Sequence, residues 1–280
     1  MLAIIGGTGV DLRGADSPLR EAREAREEII TTQHGAALVT LAQFEGREIA
    51  FLHRHANPDK KTQHISHHLP PHRVNYRANI AALKKLGVTA IFASTAVGSL
   101  RREWAPGTLI LLDQFIDCTS GREKTFFDLG AVHVDVTHPY CPALRELLTR
   151  TAQRLNYDLQ DGGTYLCANG PRFETPAEIR SFALWGADVV GMTGVPEATL
   201  AREANISYAG VSIATNFAAG ISTQPLTQAE VIEAMKTALP RVVELFLAAA
   251  RDYADDVALP SRNATAEFKT STFDLDSFIV

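Results

Sequence analysis

Two strand-like apolar runs of the sequence end in residues that could bind an anion. The run Leu2–Ile5 leads into Gly6–Val10 (GGTGV), where free backbone N–H groups and the Thr8 hydroxyl suit a phosphate oxygen. A later run ends at Arg54 and His55, which place a forked guanidinium donor beside an imidazole whose charge depends on pH. Both segments are candidate phosphate-binding elements.

A third apolar run, Ile91–Gly98 (IFASTAVG), contains Thr95 and Ala96 near its end and so offers a hydroxyl and backbone amides. Ligands of α/β proteins gather at the carboxyl ends of strands, so the three strand ends are predicted to converge on one dianion. The sequence leaves two alternatives open. The glycine-rich segment could be only a tight turn, and Arg54 and His55 could lie in solvent.

Four histidines, His64, His67, His68 and His72, lie between two of these candidate elements. His64 and His68 are four residues apart and would share one helix face, a spacing that suits metal ligands. Pro70–Pro71 follows directly, and neither a carboxylate nor a cysteine lies nearby. We therefore interpret this segment as a mobile polar loop over a site, and we expect no metal.

Short apolar runs alternate with helix-periodic segments along the chain, and this alternation predicts a largely parallel or mixed sheet covered on both faces by helices. The predicted strands are Leu2–Ile5, Ala37–Leu41, Glu48–Leu52, Ala90–Ala93, Leu109–Gln114, Asp188–Gly191 and Ser207–Ala214. The predicted helices are Arg73–Leu86, Pro142–Leu155, Thr175–Trp185, Pro196–Ala204 and Thr227–Tyr253. The charged run Arg20–Glu28 (REAREAREE) is interpreted as a solvated helix or loop face.

Composition narrows the class of protein. The chain has 280 residues, 46% of them hydrophobic, and a net charge of −5 with scattered lysine and arginine, which argues against a nucleic-acid groove. The N-terminus lacks the pattern of a secretory signal, and no apolar run reaches the roughly 18 residues that span a bilayer. We expect a soluble, cytoplasmic protein whose cysteines, Cys118, Cys141 and Cys167, are reduced. Residues 1–253 are predicted to form one domain, and residues 254–280 a tail that is loose or docked on a neighbouring subunit.

Several longer motifs resemble, in order, those of the trimeric purine nucleoside phosphorylase and 5'-methylthioadenosine phosphorylase family. They are GGTG, the Arg54–His55 pair, Val74–Ile80 (VNYRANI), Ser94–Arg101 (STAVGSLR), Asp113–Asp117 (DQFID), Gly170–Thr175 (GPRFET), Trp185–Glu197 (WGADVVGMTGVPE) and Ala214–Asn216 (ATN). The resemblance extends to about Tyr253. It implies a single α/β domain with a central mixed, partly barrel-like sheet flanked by helices.

The resemblance also implies an activity and a set of partners. The activity is reversible phosphorolysis of a purine nucleoside to a free purine and a pentose 1-phosphate. Phosphate is the co-substrate, no cofactor or metal is needed, and the assembly is a homotrimer or a dimer of trimers.

Site residues follow from the same resemblance, position by position. It implies a phosphate site formed by Thr8, Arg54, His55, Thr95, Ala96 and Thr193. It implies a base and ribose site formed by Phe173, Glu174, Met192, Asn216 and Ala218. It implies a pocket for the 5' substituent that includes His133, Gln228, Val231 and Ile232. The residues expected to contribute most to catalysis are Asn216, Glu174 and His55.

Two positions indicate which purine is bound. Asn216 and Ala218 stand where methylthioadenosine phosphorylases typically carry two aspartates, and Asn216 can donate to O6 of a 6-oxopurine and accept from a protonated N7. Glu174 matches the glutamate with which 6-oxopurine phosphorylases accept from N1–H. Adenine has no N1–H, and an unpaired buried acceptor costs about 1–3 kcal/mol, or ~10- to 100-fold in selectivity. The alternative is that Asn216 caps the following turn and that Glu174 is a helix N-terminal carboxylate beside Thr175.

The 5' side of the substrate stays open. Gln228 could bond a 5'-hydroxyl, whereas DQFID, TSGRE (Thr119–Glu123) and HPYCP (His138–Pro142) resemble enzymes for methylthio nucleosides. Inosine, guanosine and 5'-methylthioinosine are all candidate substrates, and a 5'-methylthioadenosine phosphorylase is the second hypothesis. A third is a non-catalytic nucleotide-binding or NAD-binding protein that rests on GGTG alone. It lacks the third glycine of the dinucleotide motif, since Leu12 stands there.

Overall fold

The computed structural model describes residues 1–7, 23–58, 69–222, 228–254, 259–268 and 274–280. The strands in these ranges are β1 Leu2–Gly6, β2 Arg23–Thr32, β3 Gly35–Phe44, β4 Arg47–His53, β5 Ala90–Ser99, β6 Leu109–Leu111, β7 Gln114–Asp117, β8 Leu159–Asp161, β9 Thr164–Cys167, β10 Val189–Gly191 and β11 Ser207–Phe217. The α-helices are α1 Tyr76–Lys85, α2 Pro142–Arg154, α3 Pro176–Leu184, α4 Gly194–Glu203 and α5 Gln228–Asp252. None of the helices in these ranges is long and apolar enough to cross a membrane.

The strands form one mixed sheet that branches at β5. Its main path runs β2-β3-β4-β1-β5-β10-β9-β7, and β11 pairs with β5 and with β6, which in turn pairs with β8. Strand β1 lies parallel to β4 and to β5, with Gly6 opposite His53. Because parallel strands end at one edge of a sheet, this register brings the segment after β1 beside Arg54, whose N–H donates to the Gly6 carbonyl at 3.0 Å.

Helices cover both faces of the sheet. Alternate residues of β1 point to opposite faces, so Ala3 and Ile5 pack in one buried cluster with Ile80 of α1, whereas Ile4 packs in another with Phe246 of α5. The predicted α/β domain with a mixed sheet flanked by helices is confirmed.

Each predicted strand and helix occurs with shifted ends, but Leu109–Gln114 is interrupted between β6 and β7. The interpretation of Arg20–Glu28 as a solvated helix or loop face is wrong from Arg23 onward, where β2 pairs antiparallel with β3. Among the described strands, β2 lies at the edge of the sheet and pairs with β3 alone, so charged side chains can stay in solvent on it. Arg26, for example, donates to Glu28 and to Glu48 of β4 at 2.8 Å each.

The described parts of the C-terminal tail contact the body of their own chain, and its docking on a neighbouring subunit stays a prediction. Gln33 donates to the Ser277 carbonyl at 2.7 Å, and a ring nitrogen of His34 lies 2.8 Å from the Phe278 carbonyl. Ile279 is buried in the same cluster as α1.

Candidate active site

A cavity of about 250 Å³ opens where β1, β4, β10 and β11 end. Its wall includes five residues of the predicted phosphate site and its surroundings: Gly7, Arg54, His55, Ala96 and Thr193. The same wall includes the residues predicted for the base and ribose, which are Phe173, Glu174, Met192, Asn216 and Ala218, together with Val231 of α5. The structure therefore gathers most of the residues that the sequence predicted for one site.

Arg54 is held by a carboxylate that the sequence did not predict. Both side chains of the Arg54–Glu197 pair are fully buried, and two parallel hydrogen bonds of 2.7 and 2.8 Å join them. Tyr208 adds a third contact, because its hydroxyl donates to the same carboxylate at 2.7 Å. Burial lowers the pKa of Arg54, but the charge and hydrogen bonds of Glu197 raise it by more, so its pKa lies above the ordinary value.

The remaining nitrogen of the guanidinium, Nη1, faces the segment after β1. It donates to the Ser94 carbonyl at 2.9 Å, and a Cβ built on Gly7 would lie 2.9 Å from it. A side chain at position 7 would therefore displace the guanidinium. Next to Arg54, the Nδ1 of His55 lies 2.8 Å from the Leu69 carbonyl, which fixes the ring where it lines the cavity.

The backbone around Thr193 is fixed by a tyrosine hydroxyl that the sequence also did not predict. The N–H groups of Thr193 and Gly194 donate to the Tyr165 hydroxyl at 3.0 and 3.1 Å. The ring fits only because position 191 is glycine, where a Cβ would lie 2.4 Å from that hydroxyl. Tyr165 thus satisfies two buried donors at the start of α4 and fixes the position of Thr193.

Replacing Tyr165 by phenylalanine is expected to destabilise the fold by about 1–3 kcal/mol, because two buried N–H groups lose their acceptor. The same change is expected to raise the KM for phosphate by about tenfold as the Thr193 backbone shifts. Tyr140→Phe is the matched control, since the Tyr140 hydroxyl is buried with no hydrogen-bond partner among the described residues. Denaturant unfolding measures the change in stability, and the rate at varied phosphate concentration measures the change in KM. Equal changes in Tyr165→Phe and Tyr140→Phe would contradict the role of Tyr165.

Asn216 lines the cavity just after an irregularity in β11. The pairing register with β5 shifts between Ala214 and Asn216, which re-aims the side chain. Its Nδ2 donates to the Phe217 carbonyl at 2.8 Å, and its Oδ1 accepts from the Thr215 hydroxyl at 2.8 Å. A carboxamide can donate twice and accept twice, so each end keeps capacity for a ligand.

Glu174 also lines the cavity, and it does not cap the helix that follows it. The N-terminus of α3 is capped by Thr175 and Glu178, whose side chains and backbone N–H groups bond each other reciprocally. Burial raises the pKa of Glu174, and the nearby charge of Glu178 raises it further. The complete cap of α3 argues against the alternative that Glu174 serves only the helix terminus.

One described residue predicted for the phosphate site, Thr95, does not line the cavity. Thr95 is buried in β5, with its hydroxyl 2.7 Å from the Ser212 hydroxyl of β11. Thr8 lies outside the described residues, as do His64, His67 and His68. Among the described residues, no group of three or more potential metal ligands occurs.

The residues predicted for the 5' pocket are only partly brought together. Val231 lines the cavity, whereas Ile232 is half exposed and lies off its wall. His133 is exposed in a segment without regular structure, away from the cavity of its own chain. Gln228 begins α5, and its side chain lies outside the described part of the structure.

The chain belongs to the phosphorylase superfamily, whose family model matches residues 2–251. It is 45% identical over 273 residues to a probable 6-oxopurine nucleoside phosphorylase of Dictyoglomus turgidum, covering 96% of this chain and 97% of the relative. It is 42% identical over 264 residues to a probable S-methyl-5'-thioinosine phosphorylase of Methanothermobacter thermautotrophicus, covering 94% and 88%.

A solved structure shows the same fold. It is a methylthioadenosine phosphorylase from an antarctic soil metagenomic library, with a TM-score of 0.84 and 34% identity over 95% of this chain and 91% of that one. These similarities confirm the family that the motifs indicated.

Proposed function

We propose that this protein catalyses the reversible phosphorolysis of purine nucleosides, using phosphate as co-substrate and favouring 6-oxopurines. The observation that carries the proposal is one cavity whose wall contains Arg54 and His55 together with Glu174 and Asn216. Membership of the phosphorylase superfamily and the names of the relatives support the same reaction class, transfer of a pentosyl group to phosphate.

Phosphate binds beside Arg54, against the His55 ring, the Ala96 backbone and Thr193. Its oxygen attacks C1' of the sugar while the C1'–N9 bond breaks, and the phosphate charge stabilises the oxocarbenium character that develops between them. Glu197 neutralises the charge of Arg54. The guanidinium therefore contributes to phosphate binding mainly by donating directed hydrogen bonds, and less by its charge. No protein nucleophile is required.

The purine leaves with the C1'–N9 electron pair and takes up one proton, which balances the proton that hydrogen phosphate loses when its oxygen bonds to C1'. Phe173 packs on the base and Met192 lies against the ribose, while the Asn216 amide bonds the N7 and O6 edge. Glu174 accepts from N1–H, which only a 6-oxopurine offers. Its partly buried setting makes an unpaired carboxylate costly, so the same residue disfavours adenine.

Ionised Glu174 is the form that accepts from N1–H, so kcat/KM for inosine is expected to fall as pH drops through the raised pKa of this carboxyl. A folded-state pKa above the unfolded value means that protonation of Glu174 favours the folded state, so titration of Glu174 does not itself unfold the protein. The ratio of kcat/KM between wild type and Glu174→Gln, measured across pH, cancels the pH effects that both proteins share, such as the titration of phosphate. A ratio that does not change with pH would contradict the role of Glu174.

A second candidate function keeps the reaction and changes the base. A 5'-methylthioadenosine phosphorylase would release adenine and 5-methylthioribose 1-phosphate, and the structural similarity to such an enzyme supports it. A phosphorolysis panel that crosses hypoxanthine, guanine and adenine with 5'-hydroxyl and 5'-methylthio sugars separates the two. The proposal expects both hypoxanthine nucleosides to exceed their adenine counterparts in kcat/KM, and the reverse order would favour the second candidate.

The assembly is proposed to be a homotrimer, or a dimer of trimers, working in the cytoplasm. The exposed apolar side chains of Leu184 and Trp185 at the end of α3, and the exposed segment around His133, support a subunit interface. Sedimentation equilibrium tests this proposal, and a monomer at micromolar concentration would contradict it.

A further inference from the structure

Arg122, in the loop after β7, binds backbone carbonyls of two chain segments that contribute residues to the cavity wall. Its Nη2 donates to the carbonyls of Asn169 and Met192 at 2.9 Å each, and its Nη1 donates to the Val195 carbonyl at 2.8 Å. The sequence motif TSGRE contains this arginine, but none of the roles derived above uses it.

The guanidinium of Arg122 also lies over the aromatic ring of Tyr76. Its central carbon lies 5.3 Å from the ring centroid of Tyr76, and Nη1 lies 3.2 Å from the Tyr76 hydroxyl, which itself donates to the Pro71 carbonyl at 3.0 Å. In the part of the chain that the structure describes, the head group of Arg122 faces carbonyls and no carboxylate pairs with it. The Arg122 guanidinium therefore holds three backbone carbonyls in place.

The three carbonyls that Arg122 binds belong to two segments with different proposed roles. Asn169 precedes the loop that carries Pro171 and Phe173, whereas Met192 and Val195 flank Thr193, the residue proposed to bind phosphate. The two segments already touch, since a Cβ on Gly170 would lie 2.5 Å from the Met192 sulfur. One planar group therefore fixes the base-binding loop relative to the phosphate-binding turn.

We propose that Arg122 is a positioning residue that aligns the nucleoside with the attacking phosphate. The inference rests on the proposed phosphorolysis and adds a residue that touches neither substrate. Misalignment of two bound reactants mainly lowers kcat, because each can still bind on its own wall. A rigid fork of five donors can hold three carbonyls at once, whereas a lysine ammonium on a flexible stem cannot reproduce that geometry.

The test compares Arg122→Lys with Arg145→Lys. Arg145 is a suitable control because it is also part-buried with a buried Nε that lacks a partner among the described residues, and it pairs with Asp161 away from the cavity. Arg122→Lys is expected to lower kcat for inosine phosphorolysis by about 30- to 100-fold. Calorimetric Kd values for inosine and for phosphate, each alone, are expected to stay within about fivefold of wild type while Arg145→Lys changes neither.

Three results would overturn the inference: kcat within threefold of wild type, loss of affinity for one substrate with kcat retained, or an equal loss of kcat in the control variant. A separate readout does not depend on activity. Hydrogen–deuterium exchange of segments 168–172 and 192–196 is expected to accelerate together in Arg122→Lys and in Arg122→Gln, but not in Arg145→Lys. If wild type fails to cleave any purine nucleoside with phosphate, the proposed function falls, and the exchange data still decide whether Arg122 couples the two segments.

Discussion

Replacing Glu197 by glutamine is expected to raise the KM for phosphate by about tenfold to 100-fold and to lower the free energy of unfolding by about 3–5 kcal/mol. Both effects have one origin. In Glu197→Gln the fully buried Arg54 guanidinium loses its counter-charge. One of its two N–H donors that bonded the carboxylate now faces the amide nitrogen, which cannot accept. The arginine then turns away from the segment after β1 and no longer presents Nη1 to the phosphate. Phosphate-dependence of the rate and urea unfolding measure the two effects.

Glu203→Gln is the matched control for this change. Glu203 is a second buried acid of α4, but it accepts from the Phe126 backbone at 2.8 Å and lies away from the cavity. Glu203→Gln is expected to lower the free energy of unfolding and to leave the KM for phosphate within twofold of the wild-type value.

A double substitution separates the two roles of the ion pair. Arg54→Met with Glu197→Leu is expected to recover stability relative to Glu197→Gln, because apolar side chains replace an unbalanced buried charge. It is not expected to recover phosphate binding. An unchanged phosphate KM in Glu197→Gln, or restored phosphate binding in the double variant, would remove the ion pair from the phosphate site.

The second large effect is expected at the base. Asn216→Asp combined with Ala218→Asp should shift the ratio of kcat/KM for inosine over adenosine by about 100-fold towards adenosine, since each unpaired or repelling contact is worth about 1–3 kcal/mol. The donor that Asn216 offers to O6 disappears, and a new acceptor faces the 6-amino group from position 218. Both positions line the cavity and are buried, so the new groups meet the base without much water between them.

The single variants identify which change matters. Asn216→Asp alone replaces the Nδ2 donor to the Phe217 carbonyl by oxygen, so part of its cost is structural and is expected in the melting temperature. Ala218→Asp alone keeps the Asn216 contacts and is expected to gain little activity on adenosine. A double variant whose base preference equals that of wild type would refute the assignment of Asn216 and Ala218 as base selectors.

The sequence predicted many residues of this site because short motifs of neighbouring residues identify them. A strand end followed by Arg54 and His55 carries a signal within a few residues, and the parallel register of β1 with β4 then brings Gly7 to the guanidinium. The charged strand β2 was not predicted because its pairing with β3, which stabilises it, is not encoded in local hydrophobicity.

The residues that hold the site were harder to find than those that line it. Glu197 lies 143 positions from Arg54, and only the fold brings them together. A lone acid within the apolar stretch around VPEATLA was the available signal, since a buried carboxylate needs a partner. Arg122 and Tyr165 act on backbone groups, and no pattern of side-chain types marks such contacts. The shift of register before Asn216 is likewise invisible in the run YAGVSIAT.

The most direct measurement is the initial rate of purine release by the purified protein from inosine and from adenosine, with and without phosphate. The expected result is hypoxanthine release that requires phosphate and yields ribose 1-phosphate, with kcat/KM for inosine at least about tenfold above that for adenosine. Release of adenine with equal or higher kcat/KM would contradict the base assignment, and release of either base that does not depend on phosphate would contradict phosphorolysis itself.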